Sequence, residues 1–154
     1  MGTKASLTIS SAAFQNGASI PPEFTCEGDD KNPPLTIEGA PRETKSLVLI
    51  MDDPDAPGKT FDHWIVWNIK PQSNIAEDSN PGETGRNSLG RSEYTGPCPP
   101  SGTHRYFFKV YALDGLLDLK KTAVKSEVEQ AMENHILAYG ELIGLYKKKV
   151  SKKA

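Results

Sequence analysis

Apolar and polar positions along the chain recur with a period of two far more often than with a helical period. "SLTISS" (Ser6 to Ser11) alternates as a strand does, and "LTIEG" (Leu35 to Gly39) is a second short candidate. "KSLVLIMDD" and "DHWIVWNIK" are rich in β-branched and aromatic residues and are bounded by turn formers at both ends. "HRYFFKVYALD" (His104 to Asp114) is the longest aromatic strand candidate. Its alternation puts Tyr106, Phe108 and Val110 on one face and Phe107, Lys109 and Tyr111 on the other.

One segment, "KTAVKSEVEQAMENHI", reads as a helix, predicted from about Thr122 to Asn134 after a connection from Asp114 to Lys121. Thr122 suits an N-cap, and Val124, Val128, Ala131 and Met132 recur at helical spacing. Gly140 and Gly144 argue against continuing it. "ILAYGELIGLYKK" alternates better as a final strand, Ile136 to Lys148, with Leu137, Tyr139, Ile143 and Leu145 largely on one side. The expectation is a mostly-β, antiparallel β-sandwich forming one domain over residues 1–154, with one late helix and short helical additions at its periphery.

Size and charge narrow the class. A chain of 154 residues is long enough for a real core and fits one domain. Eighteen basic against twenty acidic residues leave a net charge of -2, so no global field points to nucleic acid. No apolar run approaches the ~18 residues of a bilayer span, and Met1 to Ser11 holds no signal-peptide core. The expectation is a cytoplasmic protein without integral membrane association. Cys26 and Cys98 are too few for a disulfide scaffold and are expected as free thiols. The start "MGTKAS" matches the myristoylation pattern and the tail "YKKKVSKKA" is polybasic, but solvated termini are the plainer reading of both.

The stretch between the two central strand candidates is the unusual one. Asp52, Asp53 and Asp55 are interleaved with Pro54 and Pro57 before His63 opens the next apolar run. Asp-Pro disfavours helix at the preceding residue, so the first strand ends abruptly there, and a cis proline is expected in the turn. In isolation such aspartates are polar turn residues. However, two of the three histidines, His63 and His104, open strand candidates directly after turn-rich loops, where loops converge; His135 reads as structural. The loops "CEGDDKNPPL" and "NPGETGRNSLGRSEYTGPCPPSGT" are long enough to need pinning around a site.

The set "DPDAP", "HWIVWNI" and "YTGPCPPSGTHRYFFKVYALD", with "FTCEG" upstream and "ELIGLY" near the end, resembles the phosphatidylethanolamine-binding family, also called Raf-kinase-inhibitor-like proteins. The likeness is greatest to its short bacterial and archaeal branch. It implies a small anion pocket at one end of a β-sandwich. Carried over residue by residue, the pocket takes Asp53, His63, His104 and Tyr106, with a wall from Gly96 to Pro100 and Cys98 and Pro99 at its rim. Animal members carry glycine where Cys98 stands. In this reading Asp53 accepts a hydrogen bond from one ring nitrogen of a histidine. The other nitrogen, the Tyr106 hydroxyl and backbone N–H groups then face a phosphate or carboxylate.

The function expected is a non-enzymatic binding protein for a phosphate- or carboxylate-bearing small ligand such as a phospholipid head group. It requires no cofactor and no metal. The resemblance extends to protein contact with a kinase or protease as inhibitor, and relatives of this branch form homodimers. The alternative is a hydrolase-type enzyme using the Asp/His pocket, with Ser101 or Cys98 as nucleophile; no G-x-S-x-G elbow supports it. Two histidines and a carboxylate also suit zinc, without any ligand-type spacing to back it. Labelling of Cys98 separates an activated thiol from a structural one.

Overall fold

The computed structural model describes residues 5–149. The first four residues of the myristoylation-like start, and the tail from residue 150, lie outside the described residues.

The apolar runs form β1 (Ala5–Ser6), β2 (Thr8–Ser10), β3 (Leu35–Glu38), β4 (Ser46–Asp53), β5 (Phe61–Ile69), β6 (Asn74–Ile75), β7 (Glu83–Thr84), β8 (Thr103–Leu113) and β9 (Ile136–Lys147), with α1 (Lys125–Met132) between the last two. Six strands make one sheet in the order β1-β9-β8-β4-β5-β7, and β2-β3-β6 make a second. Among the described residues the fold is a mostly-β sandwich with one α-helix, as the alternation predicts, and a single 3-10 turn at Pro22–Phe24.

β4 is buried along its whole length because both of its faces are covered. Leu47, Leu49 and Met51 face the second sheet, in one cluster with Ile9, Leu35 and Ile37. Val48 and Ile50 face outward and are roofed by Val128 and Met132 of α1, together with Ile65 and Trp67 of β5. Each such side chain removed from water contributes roughly 1.5–3 kcal/mol. A run apolar on both faces is what a two-sided environment selects.

Three expectations change. The single strand expected from Ser6 to Ser11 splits at Leu7: Ala5 and Ser6 run parallel to Ala138 and Tyr139, while Thr8 to Ser10 pair antiparallel with Thr36 to Glu38. The sandwich is therefore antiparallel except at this one edge. The helix begins at Lys125, and Val124, not Thr122, holds the N-cap position. Thr122 lies instead within a turn in which the Ala123 N–H donates to the Lys120 carbonyl at 2.9 Å, and the Ala123 carbonyl accepts the Arg86 N–H. Glu127 reaches back to the Val124 N–H at 3.0 Å. Finally, no peptide bond among the described residues is cis. The turn after β4 is set instead by the Asp53 carboxylate, which accepts the Asp55 N–H at 2.8 Å, and by Gly58 at φ 87°.

β9 runs to Lys147 as a strand. Its more deeply buried face is Ala138, Gly140, Leu142, Gly144 and Tyr146, opposite the set named from the sequence. Gly140 lies against the Leu7 carbonyl and Gly144 against Ile20 and Phe14, so a side chain at either would collide with the crossing N-terminal segment. His135 makes an exposed pair with Asp114 at 2.9 Å.

Candidate functional site

The three carboxylates that end β4 go to three different partners. Asp52 points outward and is held by Lys109 and Lys125, each at 3.1 Å. Asp53 points inward and receives His104 Nδ1 at 2.6 Å on its Oδ2. Asp55, beyond the strand, receives the Arg105 side chain through Nε and Nη2 and the Arg105 backbone N–H, all at 2.9 Å. This fork holds the Asp55 carboxyl down at about 2.

A bulge brings in the second histidine. Met51 pairs with Trp64 and Asp52 with Asp62, so His63 is the extra residue of β5 at that point. A bulge of this kind re-aims a side chain. His63 accordingly shares the cavity with Tyr106, their rings meeting edge-on at 5.3 Å. Its Nδ1 lies 2.6 Å from the Thr95 carbonyl. Burial pushes the His63 pKa down, against the raising influence of that carbonyl and of Asp53, Asp30 and Asp62. Tyr106 is fully buried, and its hydroxyl is pushed well up, by burial first and then by the Asp53 carboxylate, so it stays protonated.

The wall is tied to the loop that follows the 3-10 turn. Tyr94 donates its hydroxyl to the Phe24 carbonyl at 2.7 Å, Gly96 donates its N–H to Asp30 Oδ1 at 2.8 Å, and Cys26 donates its N–H to the Pro97 carbonyl at 3.1 Å. Cys26 and Cys98 are joined by a disulfide, with Cα atoms 5.5 Å apart. The expectation of two free thiols is thereby overturned. Both loops close the same end of the sandwich, and this brings together residues 72 positions apart in sequence. With the thiols joined, their argument for a cytoplasmic location lapses. Among the described residues no helix is long and apolar enough to cross a membrane.

The result is a cavity of about 300 Å³ at one end of the sandwich. Asp53, His63, Cys98, Pro99, His104 and Tyr106, the six residues named from the sequence, all line it. Gly96 and Pro100 line it as well, and Ala56, Pro57, Phe61 and Leu89 add an apolar mouth. Ser101 is exposed, and the bridge consumes the Cys98 sulfur. Among the described residues no three His, Cys, Asp or Glu side chains are grouped to hold a metal ion.

Sequence reasoning missed Thr95 and Asn87. The Asn87 amide, almost fully buried, donates to the Glu93 carbonyl at 3.0 Å, to Thr95 Oγ1 at 2.9 Å and to the His63 carbonyl at 3.3 Å. It ties the Thr95 side chain to the His63 backbone, and Thr95 is the residue whose carbonyl meets His63 Nδ1. Nothing in "GRNSLGRSEYT" beyond turn composition distinguishes this asparagine.

Comparison with known proteins agrees with this fold. The family model for phosphatidylethanolamine-binding protein matches residues 10–147. A UPF0098 protein of Pyrococcus horikoshii is 54% identical over 95% of this chain and 79% of its own, and one of Pyrococcus abyssi is 52% identical over 90% and 84%. Among solved structures, a protein of Chlamydia trachomatis described as a homologue of that family superposes with a TM-score of 0.90 at 41% identity, covering 94% of this chain and 99% of its own. YbcL of E. coli, described as a member of the mammalian family, superposes with a TM-score of 0.86 at 29% identity, covering 94% and 100%.

Proposed function

The chain belongs to the phosphatidylethanolamine-binding protein family, and on that premise we propose that it is a non-enzymatic binding protein that holds a small phosphate- or carboxylate-bearing ligand in the cavity over Asp53, His63, His104 and Tyr106. The observation that carries this reading is the buried Asp53–His104 pair. It pre-orients a ring nitrogen toward a largely apolar cleft, beside a tyrosine hydroxyl that keeps its proton. Such a cleft, with a few converging polar groups, is the usual form of a small-ligand site.

The hydrolase reading has less support. Its cysteine candidate is bridged, and Ser101 makes no described hydrogen bond to either histidine. Contact with a kinase or protease and formation of a homodimer enter the proposal through the family resemblance alone.

Calorimetry with phosphate and with acetate tests the reading on the wild type and the His63→Ala/His104→Ala double variant. Loss of about 1–3 kcal/mol per histidine is expected for hydrogen bonds of this class. Unchanged affinity in the double variant places the binding site elsewhere.

A further inference from the structure

We propose that a second, polar cleft, separated from the cavity by residues 94–96, binds a neutral polyhydroxyl ligand such as a monosaccharide through the Trp64 indole N–H and the Asp30 carboxylate. The cleft measures about 280 Å³. Tyr94 lines it, whereas Thr95 and Gly96 line the cavity, and the two share no lining residue. Its occupancy is therefore independent of what the cavity holds.

Trp64 is the observation that points to a ligand. It is only 2% exposed, belongs to the core between the sheets, and meets the Tyr94 ring edge-on at 5.3 Å. An indole N–H can only donate, and enclosing it unpaired is costly. Among the described residues the Trp64 N–H has no hydrogen-bond partner. Three side-chain polar atoms are enclosed without one, namely Thr44 Oγ1, Asp62 Oδ1 and Trp67 Nε1, and Trp64 Nε1 is not among them. It therefore reaches open space, and the cleft is where Trp64 comes to the surface. A side chain otherwise sealed in the core aims its one polar group outward at this place. Trp67, fully buried beneath α1, is the contrast.

The groups around that N–H are mostly acceptors. Asp30 Oδ1 takes the Gly96 N–H at 2.8 Å, and Oδ2 has no described partner. The Ser79 hydroxyl has spent its hydrogen on the Ala76 carbonyl at 2.6 Å, and the Thr84 hydroxyl on Asn80 Oδ1 at 2.9 Å. What these two still offer is lone pairs, while the Asn80 amide keeps its N–H groups as donors. Lys31 is occupied by Glu77 at 2.9 Å and Glu23 at 3.7 Å. Asp78 and Glu93 add two more carboxylates to the lining.

This donor and acceptor set selects the ligand class. An anion would meet three carboxylates and one lysine that is already paired. A cation would suit the carboxylates but would cover the indole N–H without giving it an acceptor, and the lost hydration is then not replaced. A hydroxyl group does both, because it accepts and donates. Hydroxyls on one ring can accept from Trp64 Nε1 and donate to Asp30 Oδ2, with Ser79, Thr84 and Asn80 left for their neighbours. The volume lies at the small end of the range for small-molecule sites, which suits one sugar ring and not a chain of them.

The test is a proton–nitrogen NMR titration of the full chain with the methyl α-glycosides of glucose, galactose and mannose, and with ethylammonium chloride. The chain has two tryptophans, so Trp64 and Trp67 each give one indole N–H signal, and Trp64→Phe assigns them. At least one glycoside is expected to shift the Trp64 signal saturably, with a Kd of about 10 mM or tighter, while the Trp67 signal stays in place. The Gly96 amide, held by Asp30, should move with Trp64. Followed at Gly96, affinity should fall about fivefold in Trp64→Phe, which keeps an aromatic ring and loses the donor. Asp30→Asn, at the surface and still able to accept the Gly96 N–H, should lose a similar factor and serves if the core variant does not fold. Unchanged glycoside affinity in a folded Asp30→Asn overturns the proposal. A shift that only grows in proportion to sugar concentration marks an adventitious additive only and overturns it as well. Movement of the Trp64 signal with ethylammonium and with none of the glycosides also overturns it, and makes the cleft a cation site.

Discussion

Nδ1 of His104 and Oδ2 of Asp53 stand 2.6 Å apart, with side chains only 9% and 4% exposed, although 51 residues separate them along the chain. Strand register produces this pair. Met51 lies opposite Phe108 and Asp52 opposite Phe107, which brings Asp53 opposite Tyr106, and His104 is two residues further on the same face. The neighbouring Asp52 necessarily faces the other way, toward Lys109 and Lys125.

That alternation yields a contrast between adjacent carboxylates. Asp53→Asn should weaken phosphate or acetate binding by about 1 kcal/mol through a loosened His104 ring. Asp52→Asn should leave ligand affinity unchanged and lower stability by about 1–3 kcal/mol, because a buried carboxylate that gathers two ammonium groups loses its charge. Calorimetry and urea denaturation on the two variants separate the effects. Equal affinity losses would contradict the two-face arrangement.

The bridge between Cys26 and Cys98 makes a second prediction. A loop of this span, 72 residues, is expected to contribute about 4 kcal/mol by restricting the unfolded chain. Reduction should lower the melting temperature clearly, and the unreduced protein should show no thiol titratable in denaturant. Two titratable thiols would show that the chain folds without closing this link.

Gly140 offers a packing test. A methyl group there would fall on the Leu7 carbonyl, where the chain crosses from one sheet to the other. Gly140→Ala should cost about 1–3 kcal/mol or more, as overpacking does. Gly115, which has open space around it, is the control, and its alanine variant should be nearly neutral. Comparable losses at both positions would argue against the crossing at Leu7.

Acid titration tests Asp55. Its carboxyl sits at about 2, below the ordinary 3.8, because Arg105 grips the ionised form. A lowered folded-state pKa means stability that is fully present above the unfolded value and lost as pH falls through the folded one. The difference in stability between wild type and Asp55→Asn should be small, since the carboxylate is 29% exposed and Arg105 53%. It should stay constant from pH 7 to 5 and vanish between pH 4 and 2. A difference that grows with acid would have the wrong sign.

Much of the site was readable because its residues lie at strand ends flanked by turn formers, and because three short motifs match one family. The family likeness placed Asp53, His63, His104 and Tyr106 in one pocket, and the structure puts all four there. It left open which histidine meets the carboxylate, and strand register assigns His104. Asn87 and Thr95 escaped notice because their roles are backbone carbonyls and one amide, for which side-chain type along the chain gives little signal.

By itself the sequence determined the long strands and the single late helix, since periodicity and turn residues act over neighbours a few positions apart. Only the tertiary structure decided the Cys26–Cys98 bridge, the Thr95 partner of the His63 ring and the split of the first strand between two sheets. Each of these depends on a partner 26 to more than 130 residues away, or on one extra residue in a bulge. Such pairings are set by register and loop closure, which the local pattern of apolar and polar residues does not carry.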